Sequence, residues 1–226
     1  MTKIETKMVG NSFGERLFYR VVRGLAVVVC RLYMRMTVEG QGNLPTDGPF
    51  IIAPIHRSNV DTLIVGTALS NRPRYLAKDS MWKNRQVGWL VSAMGGFPVA
   101  RGTADREALR RCIEVIEGGE SLVLFPEGER KSGKVVQSLF DGASYVASKT
   151  GVPIVPIGIG GSERVMPKGA KMIWPHKVHA IIGEPLRPSR DESGKVPRAA
   201  IKELTEQLHG ELQSLFDRAE TRAGVK

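Results

Sequence analysis

Short apolar segments alternate with helical segments along most of this 226-residue chain. The apolar segments are bounded by glycine, proline and polar turn residues, a pattern typical of buried β-strands. They cover residues 50–55, 74–78, 121–128, 152–161 and 177–186. Buried strands that alternate with helices predict an α/β fold. The length suits one sizeable core, so we expect a single domain with a mixed, mostly buried sheet flanked by helices.

Helical patterns fill most of the remaining chain and occur in residues 13–36, 61–70, 88–96, 103–119, 140–151 and 199–219. Two expectations concern irregular stretches. The helix that ends at Gly95 and Gly96 is followed by a glycine–arginine loop. The prolines in "VPIVPIGIGG" (152–161) predict an edge or irregular strand, because proline cannot donate a hydrogen bond to a sheet ladder.

Residues 13–36 combine an arginine stripe with an apolar side. At about 100° per residue, the arginines share one sector of the helix: Arg16, Arg20, Arg23, Arg31 and Arg35. The opposite side carries Phe18, Val21, Val22, Leu25, Val29, Leu32, Tyr33 and Met36. This pattern indicates either an amphipathic helix at a membrane interface or a surface helix that packs on its own core. We expect a division into an N-terminal amphipathic membrane-association helix region, 1–40, and a second, larger domain, 41–226.

The charge balance points to anionic partners. The chain has 33 Lys and Arg against 23 Asp and Glu, a formal charge of +10, which attracts nucleic acid, anionic lipid or a phosphorylated substrate. Nucleic acid is disfavoured because the aromatic residues lie in apolar segments and do not alternate with basic ones. The two cysteines, Cys30 and Cys112, match no metal-ligand or redox spacing. No segment approaches the roughly 20 apolar residues of a membrane span, and no secretory signal is evident.

The sequence "HRSNVD" (56–61) has two interpretations. Ser58 and Asp61 match a capping box, which would begin a helix without any catalysis. Alternatively, a turn places His56 beside Asp61, whose carboxylate then orients the imidazole as a general base. The hexapeptide alone leaves both possibilities open.

Three further clusters follow in the chain. Arg101 lies in the loop "GGFPVARG" (95–102) and could bind a phosphate. "FPEGERKSG" (125–133) places Glu127, Arg130 and Lys131 after a buried strand, where α/β proteins build sites. "VPIVPIGIGG" supplies glycines that permit close approach of a ligand or another backbone. Each cluster alone also fits an ordinary loop or a packing role.

The order of the four clusters resembles that of the glycerolipid acyltransferase family, and most closely its bacterial 1-acylglycerol-3-phosphate acyltransferases. The resemblance covers roughly residues 45–185 and implies that 41–226 is an acyltransferase domain. It implies transfer of a fatty acyl group from acyl-CoA or an acyl carrier protein thioester to lysophosphatidate. No cofactor, metal or acyl-enzyme is implied, and nucleic acid is not a partner. The location implied is the cytoplasmic face of the cell membrane. A serine hydrolase is disfavoured, since no G-x-S-x-G motif is present.

The same resemblance implies a role for each site residue. His56 is the general base and Asp61 orients it; Glu127 positions the acceptor. The cations that bind the acceptor phosphate are Arg101, Arg130 and Lys131. The Gly128 amide and the Lys78 side chain are candidates for stabilising the oxyanion.

The chain departs from the family pattern at three positions. Ile55 replaces the usual Asn before the His, and in the third motif, commonly FPEGTRS, Glu129 replaces Thr and Lys131 replaces Ser. These changes leave the identity of the acceptor open.

Overall fold

A seven-stranded sheet forms the centre of the fold. The computed structural model describes residues 12–69, 71–99, 106–189 and 197–225. The strands are β1 (Thr37–Glu39), β2 (Ile51–Pro54), β3 (Arg74–Lys78), β4 (Gly96–Val99), β5 (Leu122–Val123), β6 (Ile154–Gly160) and β7 (His179–Ile182). The helices are α1 (Phe13–Leu32), α2 (Asp61–Ala68), α3 (Arg85–Ala93), α4 (Arg106–Glu117), α5 (Gly142–Thr150), α6 (Ser162–Val165) and α7 (Arg198–Ala223). The α/β fold with a mixed sheet, predicted from the sequence, is confirmed.

Strand direction places five loops at one edge of the sheet. The strand order is β1-β7-β6-β2-β5-β3-β4. Strands β2 to β6 are parallel, so their carboxyl ends share one edge, which we call the carboxyl edge. Strand β7 is antiparallel to β6 and begins at the carboxyl edge, where His179 pairs with Gly160. Strand β1 runs parallel to β7 and also begins there, with Thr37 opposite His179.

Helix α7 packs closely on β6 and β7. Its predicted apolar side is buried, with Leu204, Leu208, Leu212 and Leu215 each at most 4% exposed. Two glycines of β6 permit the close approach, since a Cβ atom on Gly160 would lie 2.1 Å from the backbone of Ala219. A Cβ atom on Gly158 would similarly lie 2.4 Å from the backbone of Leu215. Gly158 and Gly160 of "VPIVPIGIGG" therefore serve packing of a helix on the sheet.

Strand β6 is a central strand, so the expectation of an edge position for 152–161 is wrong, whereas the alternative expectation of an irregularity is met in its pairing with β7. It pairs with β2 on one side and β7 on the other, and all seven of its residues are buried. Pro156 is accommodated because the β7 ladder is interrupted beside it. Regular pairing ends at Ile157 opposite Ile182, and the next bridge joins Ile154 to Leu186, which leaves one extra residue on the β7 side. The proline therefore lies at a bulge.

The glycine–arginine loop expected after Gly95 is also partly wrong. Residues Gly96–Val99 form strand β4, which pairs with β3 at the sheet edge. Pro98 falls on this edge strand, where a missing backbone donor is tolerated. The rest of the predicted loop, including Arg101, lies outside the described residues.

Helix α1 exposes a long apolar face. It begins with a capping box between Ser12 and Glu15 and ends at Leu32, four residues earlier than predicted. Exposed apolar residues along its outer side are Phe13, Leu17, Val21, Leu25, Val28, Val29 and Leu32. Phe18 instead packs against Trp89 of α3, with ring centroids 5.0 Å apart and planes tilted by 55°, and Met36 is buried beyond the helix end. No helix among the described residues is long and apolar enough to cross a membrane.

The arginine stripe of α1 divides between two surroundings. Arg16, Arg20 and Arg31 are exposed. Arg23 instead docks α1 onto α2, because its guanidinium donates to the backbone carbonyls of Gly66, Thr67 and Leu69 at the end of that helix. The chain then continues into β1. This strand lies within the predicted 1–40 region, yet it forms one edge of the sheet by pairing with β7.

The contact between β6 and α7 gives a test of stability. We expect Gly160→Ala to lower the free energy of unfolding by about 1–3 kcal/mol, because the added methyl overlaps the α7 backbone. Gly210→Ala is the control within α7, where a Cβ atom meets nothing within 4 Å. It should raise the free energy of unfolding by about 0.5–1 kcal/mol through helix propensity. Urea unfolding followed by circular dichroism measures both; equal effects of the two substitutions would contradict the packing argument.

Candidate active site

The candidate site lies at the carboxyl edge, where β2 and β5 end side by side. Ile51 pairs with Leu122 and Ile52 with Val123. The turn after β2 carries His56, and the loop after β5 carries Glu127. Adjacent parallel strands therefore bring together two motifs that are 71 residues apart in the chain. This placement fits the general rule that α/β proteins build sites beyond the carboxyl ends of their strands.

His56 and Asp61 form a hydrogen-bonded pair. The distance between His56 Nδ1 and Asp61 Oδ2 is 3.1 Å. Asp61 is fully buried, and the His56 side chain is 17% exposed. The same Oδ2 accepts the backbone N–H groups of Arg57 and Ser58, each at 2.6 Å. A carboxylate can only accept a hydrogen bond from Nδ1, so it favours the tautomer of a neutral imidazole that has its hydrogen on Nδ1 and a lone pair on Nε2. This is the arrangement that a general base requires.

The capping-box alternative does not describe this turn. Helix α2 begins at Asp61, and no side chain caps its first amides. The Ser58 hydroxyl donates to the carbonyl of Met166 at 2.8 Å instead. Asp61 does reach back to the Ser58 amide, but it also holds His56. His56 lies on the turn and Asp61 in the first helical turn, as the catalytic interpretation requires.

Phe125 fixes the plane of the imidazole. Its ring stacks on that of His56, with centroids 4.0 Å apart and planes 25° apart. Phe125 belongs to the FPEG segment that follows β5, so the two motifs meet through their rings. The His56 ring is therefore held by Asp61 at one atom and by Phe125 over its face.

Arg57 is the functional candidate that sequence reasoning missed. It is 1% exposed, and its guanidinium donates to Glu127 Oε2 at 2.6 Å. It also donates to the carbonyls of Gly133 and Val135, each at 3.1 Å. The guanidinium carbon lies 5.1 Å from the centre of the Phe216 ring in α7. Its one sequence signal is its place inside "HRSNVD", where a charged residue follows an entirely buried strand.

Glu127 is buried among protein donors. Besides Arg57, its carboxylate accepts the His56 backbone N–H at 3.3 Å and the Gln137 backbone N–H at 3.0 Å. Its side chain has no exposed surface. In this structure the carboxylate therefore joins the His56 turn to the loop 127–137. Its role in positioning an acceptor stays a prediction. Because its carboxylate is occupied by protein donors, the simplest form of that role is indirect: Glu127 holds the loop 127–137, and the loop positions the acceptor.

The two unusual residues of the third motif pair with each other. Lys131 Nζ donates to Glu129 Oε1 at 2.7 Å. This hydrogen bond, with the charges of Lys131 and Lys168, lowers the pKa of Glu129. The Lys131 backbone N–H donates to the His56 carbonyl at 2.9 Å, which places the residue beside the His56 turn. Arg130 is half-buried in the same loop. Phosphate binding by these cations stays a prediction.

The predicted oxyanion donors differ in their surroundings. Gly128 adopts a φ of +72°, and its N–H donates to the Phe125 carbonyl at 3.0 Å within a tight turn. An oxyanion role for that amide therefore requires the turn to open. Lys78 is exposed and ends β3 at the carboxyl edge. Both roles stay predictions.

Comparison with known proteins gives consistent matches. A family profile described as Acyltransferase matches residues 35–160, more than half of the chain. A chloroplastic 1-acyl-sn-glycerol-3-phosphate acyltransferase of Arabidopsis thaliana is 33% identical over 162 residues, or 70% of this chain and 45% of that protein. The 1-acyl-sn-glycerol-3-phosphate acyltransferase of Bacillus subtilis is 28% identical over 87% of this chain and 96% of that protein. The chain spans about half the length of the plant relatives it matches.

A solved structure has the same fold. The crystal structure of the 1-acyl-sn-glycerophosphate acyltransferase PlsC from Thermotoga maritima aligns with a TM-score of 0.67 and 25% identity. The alignment covers 92% of this chain and 89% of that chain. The mixed sheet and its helices are therefore shared over nearly the whole length of both proteins.

The buried ion pair between Arg57 and Glu127 can be tested by a double-mutant cycle. We expect Arg57→Met to lower the free energy of unfolding by about 3–5 kcal/mol, since it leaves a buried carboxylate without its cation. Glu127→Gln should also lower the free energy of unfolding, because it leaves the buried Arg57 guanidinium without its carboxylate. The double variant should lose less than the two single losses added together, by about 0.5–3 kcal/mol. Urea unfolding measures each term.

Arg110→Met serves as the control for removing an arginine from an ion pair. Arg110 pairs with Glu107 and Glu114 on the exposed side of α4, and its side chain is 57% exposed. Removing it should leave the free energy of unfolding nearly unchanged, because exposed ion pairs contribute little to stability. Strictly additive losses at Arg57 and Glu127 would show that the two side chains do not support each other.

Proposed function

Because the chain belongs to the acyltransferase family, we propose that it transfers a fatty acyl group from a thioester to the sn-2 hydroxyl of 1-acylglycerol 3-phosphate, giving phosphatidate. The observation that carries this proposal is the His56–Asp61 pair, held by three donors on one buried carboxylate oxygen. Relatives over most of the chain bear the name of this activity. The donor is acyl-CoA or an acyl carrier protein thioester, and no further cofactor takes part.

The proposed reaction is a direct transfer. His56 Nε2 accepts the proton of the sn-2 hydroxyl as the hydroxyl oxygen attacks the thioester carbonyl carbon. The new C–O bond forms, the C–S bond breaks when the tetrahedral intermediate collapses, and the proton passes from His56 to the leaving thiolate. Asp61 keeps the hydrogen on Nδ1 and stabilises the imidazolium that forms. Positioned acid–base catalysis of this kind contributes about 10²–10⁴-fold.

The acceptor phosphate requires cations near this base. The candidates are Arg101, Arg130 and Lys131, and two of them lie in the loop whose backbone contacts His56. Glu127 positions the acceptor by holding this loop against the His56 turn. We assign stabilisation of the developing negative charge on the carbonyl oxygen to the Lys78 ammonium and to the Gly128 amide once its turn opens, because donors aimed at such charge contribute several kcal/mol.

The membrane part of the proposal rests on α1. We propose that its exposed apolar face lies in the interfacial region of the cytoplasmic leaflet, as a monotopic contact. Leu25 is 64% exposed, Leu32 is 76% exposed, and the bordering Arg16, Arg20 and Arg31 are exposed as well. Such a helix combines apolar burial with attraction to anionic lipid, and the net charge of +10 adds to that attraction.

Two other functions are compatible with the same fold. An acyltransferase acting on glycerol 3-phosphate or a glycolipid would keep the chemistry of His56 and change the acceptor; the Glu129–Lys131 pair is the observation that favours considering it. A non-catalytic protein that binds anionic lipid would keep the basic surface and would tolerate loss of His56.

The reaction and its base are tested by thiol release from palmitoyl-CoA in detergent. Each reaction contains lysophosphatidate, glycerol 3-phosphate or no acceptor. We expect release that requires lysophosphatidate, and we expect His56→Ala to lower kcat by about 10²–10⁴-fold, since the general base is lost. Asn59→Ala is the control, because it changes an exposed residue of the same turn. Its thiol release should match the wild type.

The acceptor panel and a second donor separate the three functions. Release that requires glycerol 3-phosphate would keep the mechanism and change the substrate. If no acceptor supports thiol release, either from palmitoyl-CoA or from acyl carrier protein thioesters, the non-catalytic binder would be favoured. Activity of His56→Ala equal to the wild type would remove the assigned base.

The role of α1 is tested by flotation with anionic vesicles. The double variant Leu25→Asp/Leu32→Asp should bind vesicles much more weakly, because two charges replace exposed apolar side chains. Its thiol release in detergent should be retained, since neither residue lies at the site. Lys202→Gln is the control, an exposed cation on α7. Undiminished flotation of the double variant would count against an interfacial helix.

A further inference from the structure

A second exposed apolar surface lies between α6 and β7. Every residue from 171 to 177 is exposed, and we call this segment the apolar loop. Met172 is 66% exposed, Ile173 39% and Trp174 53%. Three consecutive large apolar side chains at the surface are unusual in a protein with no partner to cover them. They indicate a surface that contacts an apolar phase.

The exposure of the apolar loop is fixed by hydrogen bonds. The Trp174 backbone N–H donates to the Val165 carbonyl at 2.8 Å, and the His176 N–H donates to the Trp174 carbonyl at 2.9 Å. From the chain after α1, the Tyr33 hydroxyl donates to the Ile173 carbonyl at 2.9 Å. Arg35 likewise donates to the Pro175 carbonyl at 3.2 Å. The loop backbone is therefore tied down while its apolar side chains point outward.

The apolar loop is continuous with the exposed face of α1. Leu32, at the end of that helix, is 76% exposed, and the next residue, Tyr33, is 44% exposed and bonded to the loop. Both elements approach the carboxyl edge, where β1 and β7 begin as a pair. The apolar surface of α1 thus extends past the helix end onto the loop.

The catalytic turn lies beside the start of this segment. The Ser58 hydroxyl donates to the carbonyl of Met166 at 2.8 Å, and Glu163 accepts the Gly133 N–H of the third motif at 3.3 Å. Lys168, between Met166 and the loop, is close enough for its charge to lower the pKa of Glu129. The segment that leads into the apolar loop is therefore in contact with the His56 turn and the third motif, and a membrane bound to the loop would lie on this side of the protein.

The charges around the apolar loop are complementary to anionic lipid. Exposed cations flank the three apolar residues on both sides: Lys168 and Lys171 before them, and Lys177 after them. No acidic residue occurs between 164 and 183 in the sequence. Tryptophan and lysine together are enriched at the membrane interface, where an indole ring lies among the headgroups and an ammonium contacts lipid phosphate.

We propose that the apolar loop is a second bilayer contact, in which Met172, Ile173 and Trp174 enter the interfacial region of an anionic leaflet and the flanking lysines bind its phosphates. The proposal rests on the membrane part of the proposed function. With α1 it gives the protein two contacts at the carboxyl edge. Two contacts fix the orientation as well as the attachment, so the His56 turn faces the leaflet that holds the acceptor.

Vesicle partitioning of the full chain tests this contact. The vesicles are phosphatidylcholine with or without phosphatidylglycerol, and the variants are Trp174→Ser and Lys168→Gln/Lys171→Gln. On anionic vesicles we expect a loss of about fivefold in partition coefficient for each lysine removed, which corresponds to about 1 kcal/mol per cation. The lysine effect should vanish on neutral vesicles, whereas the Trp174→Ser loss should persist. Lys202→Gln, an exposed cation on α7, is the control and should match the wild type.

Quenching by brominated acyl chains locates Trp174 directly. The chain has three tryptophans, so the difference between wild type and Trp174→Phe isolates the signal of Trp174. We expect strong quenching of that component on anionic vesicles, together with retained partitioning of Trp174→Phe. Unchanged thermal unfolding of each variant confirms that folding is not the cause of any loss.

Three results would overturn the proposal. The first is equal partitioning of the loop variants and Lys202→Gln. The second is unchanged partitioning with a raised KM for acyl carrier protein thioesters, which assigns the lysines to a carrier protein. The third is a dimer in solution that Trp174→Ser dissociates, which assigns the surface to a second copy of the chain. Thiol release in detergent is independent of these readouts, so its absence in the wild type would refute the proposed function alone.

Discussion

The buried ion pair between Arg57 and Glu127 joins the two halves of the site. Its distance is 2.6 Å, and neither side chain is more than 1% exposed. An unpaired charge at this depth would be very costly. The turn after β2 and the loop after β5 can therefore adopt their observed positions only when Arg57 and Glu127 are paired. The remaining donors of Arg57 hold the same loop as far as Val135. The position of His56 therefore depends on a contact that contains neither His56 nor Asp61.

A second chain of contacts connects the site to the surface proposed to meet lipid. Helix α2 begins at Asp61, and its last carbonyls accept Arg23 of α1. On the other side of the turn, Ser58 contacts the segment that leads to the apolar loop. Helix α2 thus connects α1 to Asp61, and Ser58 connects the apolar-loop segment to the turn that carries His56. An enzyme whose acceptor lies in a bilayer benefits from such rigidity, because orientation of the reacting groups is a large part of catalysis.

The sequence predicted regular elements well where local physics decides them. The apolar side of α7 and the strand β3 follow directly from periodicity and turn residues. It failed in part at β6, where Pro156 predicted an edge or irregular strand and the strand is central with an irregular partner. The central position became possible because a bulge on β7 lies opposite that proline, and a bulge in a partner strand leaves no mark in the strand itself. Strand β4 was missed for a related reason, since four residues with glycine and proline become a strand only beside β3.

The sequence by itself determined which residues are candidates for the site. His56, Asp61 and the FPEG segment occur in an order that predicts acyl transfer. The sequence did not determine which side chains each of these candidates contacts. Arg57 reads as a loop residue until strand pairing places Glu127 against it, and Glu127 reads as exposed until Arg57 and two backbone amides surround it. Local propensity and motif order act over a few residues of chain. Contacts across 71 residues depend on which strands lie side by side, and only the folded sheet decides that.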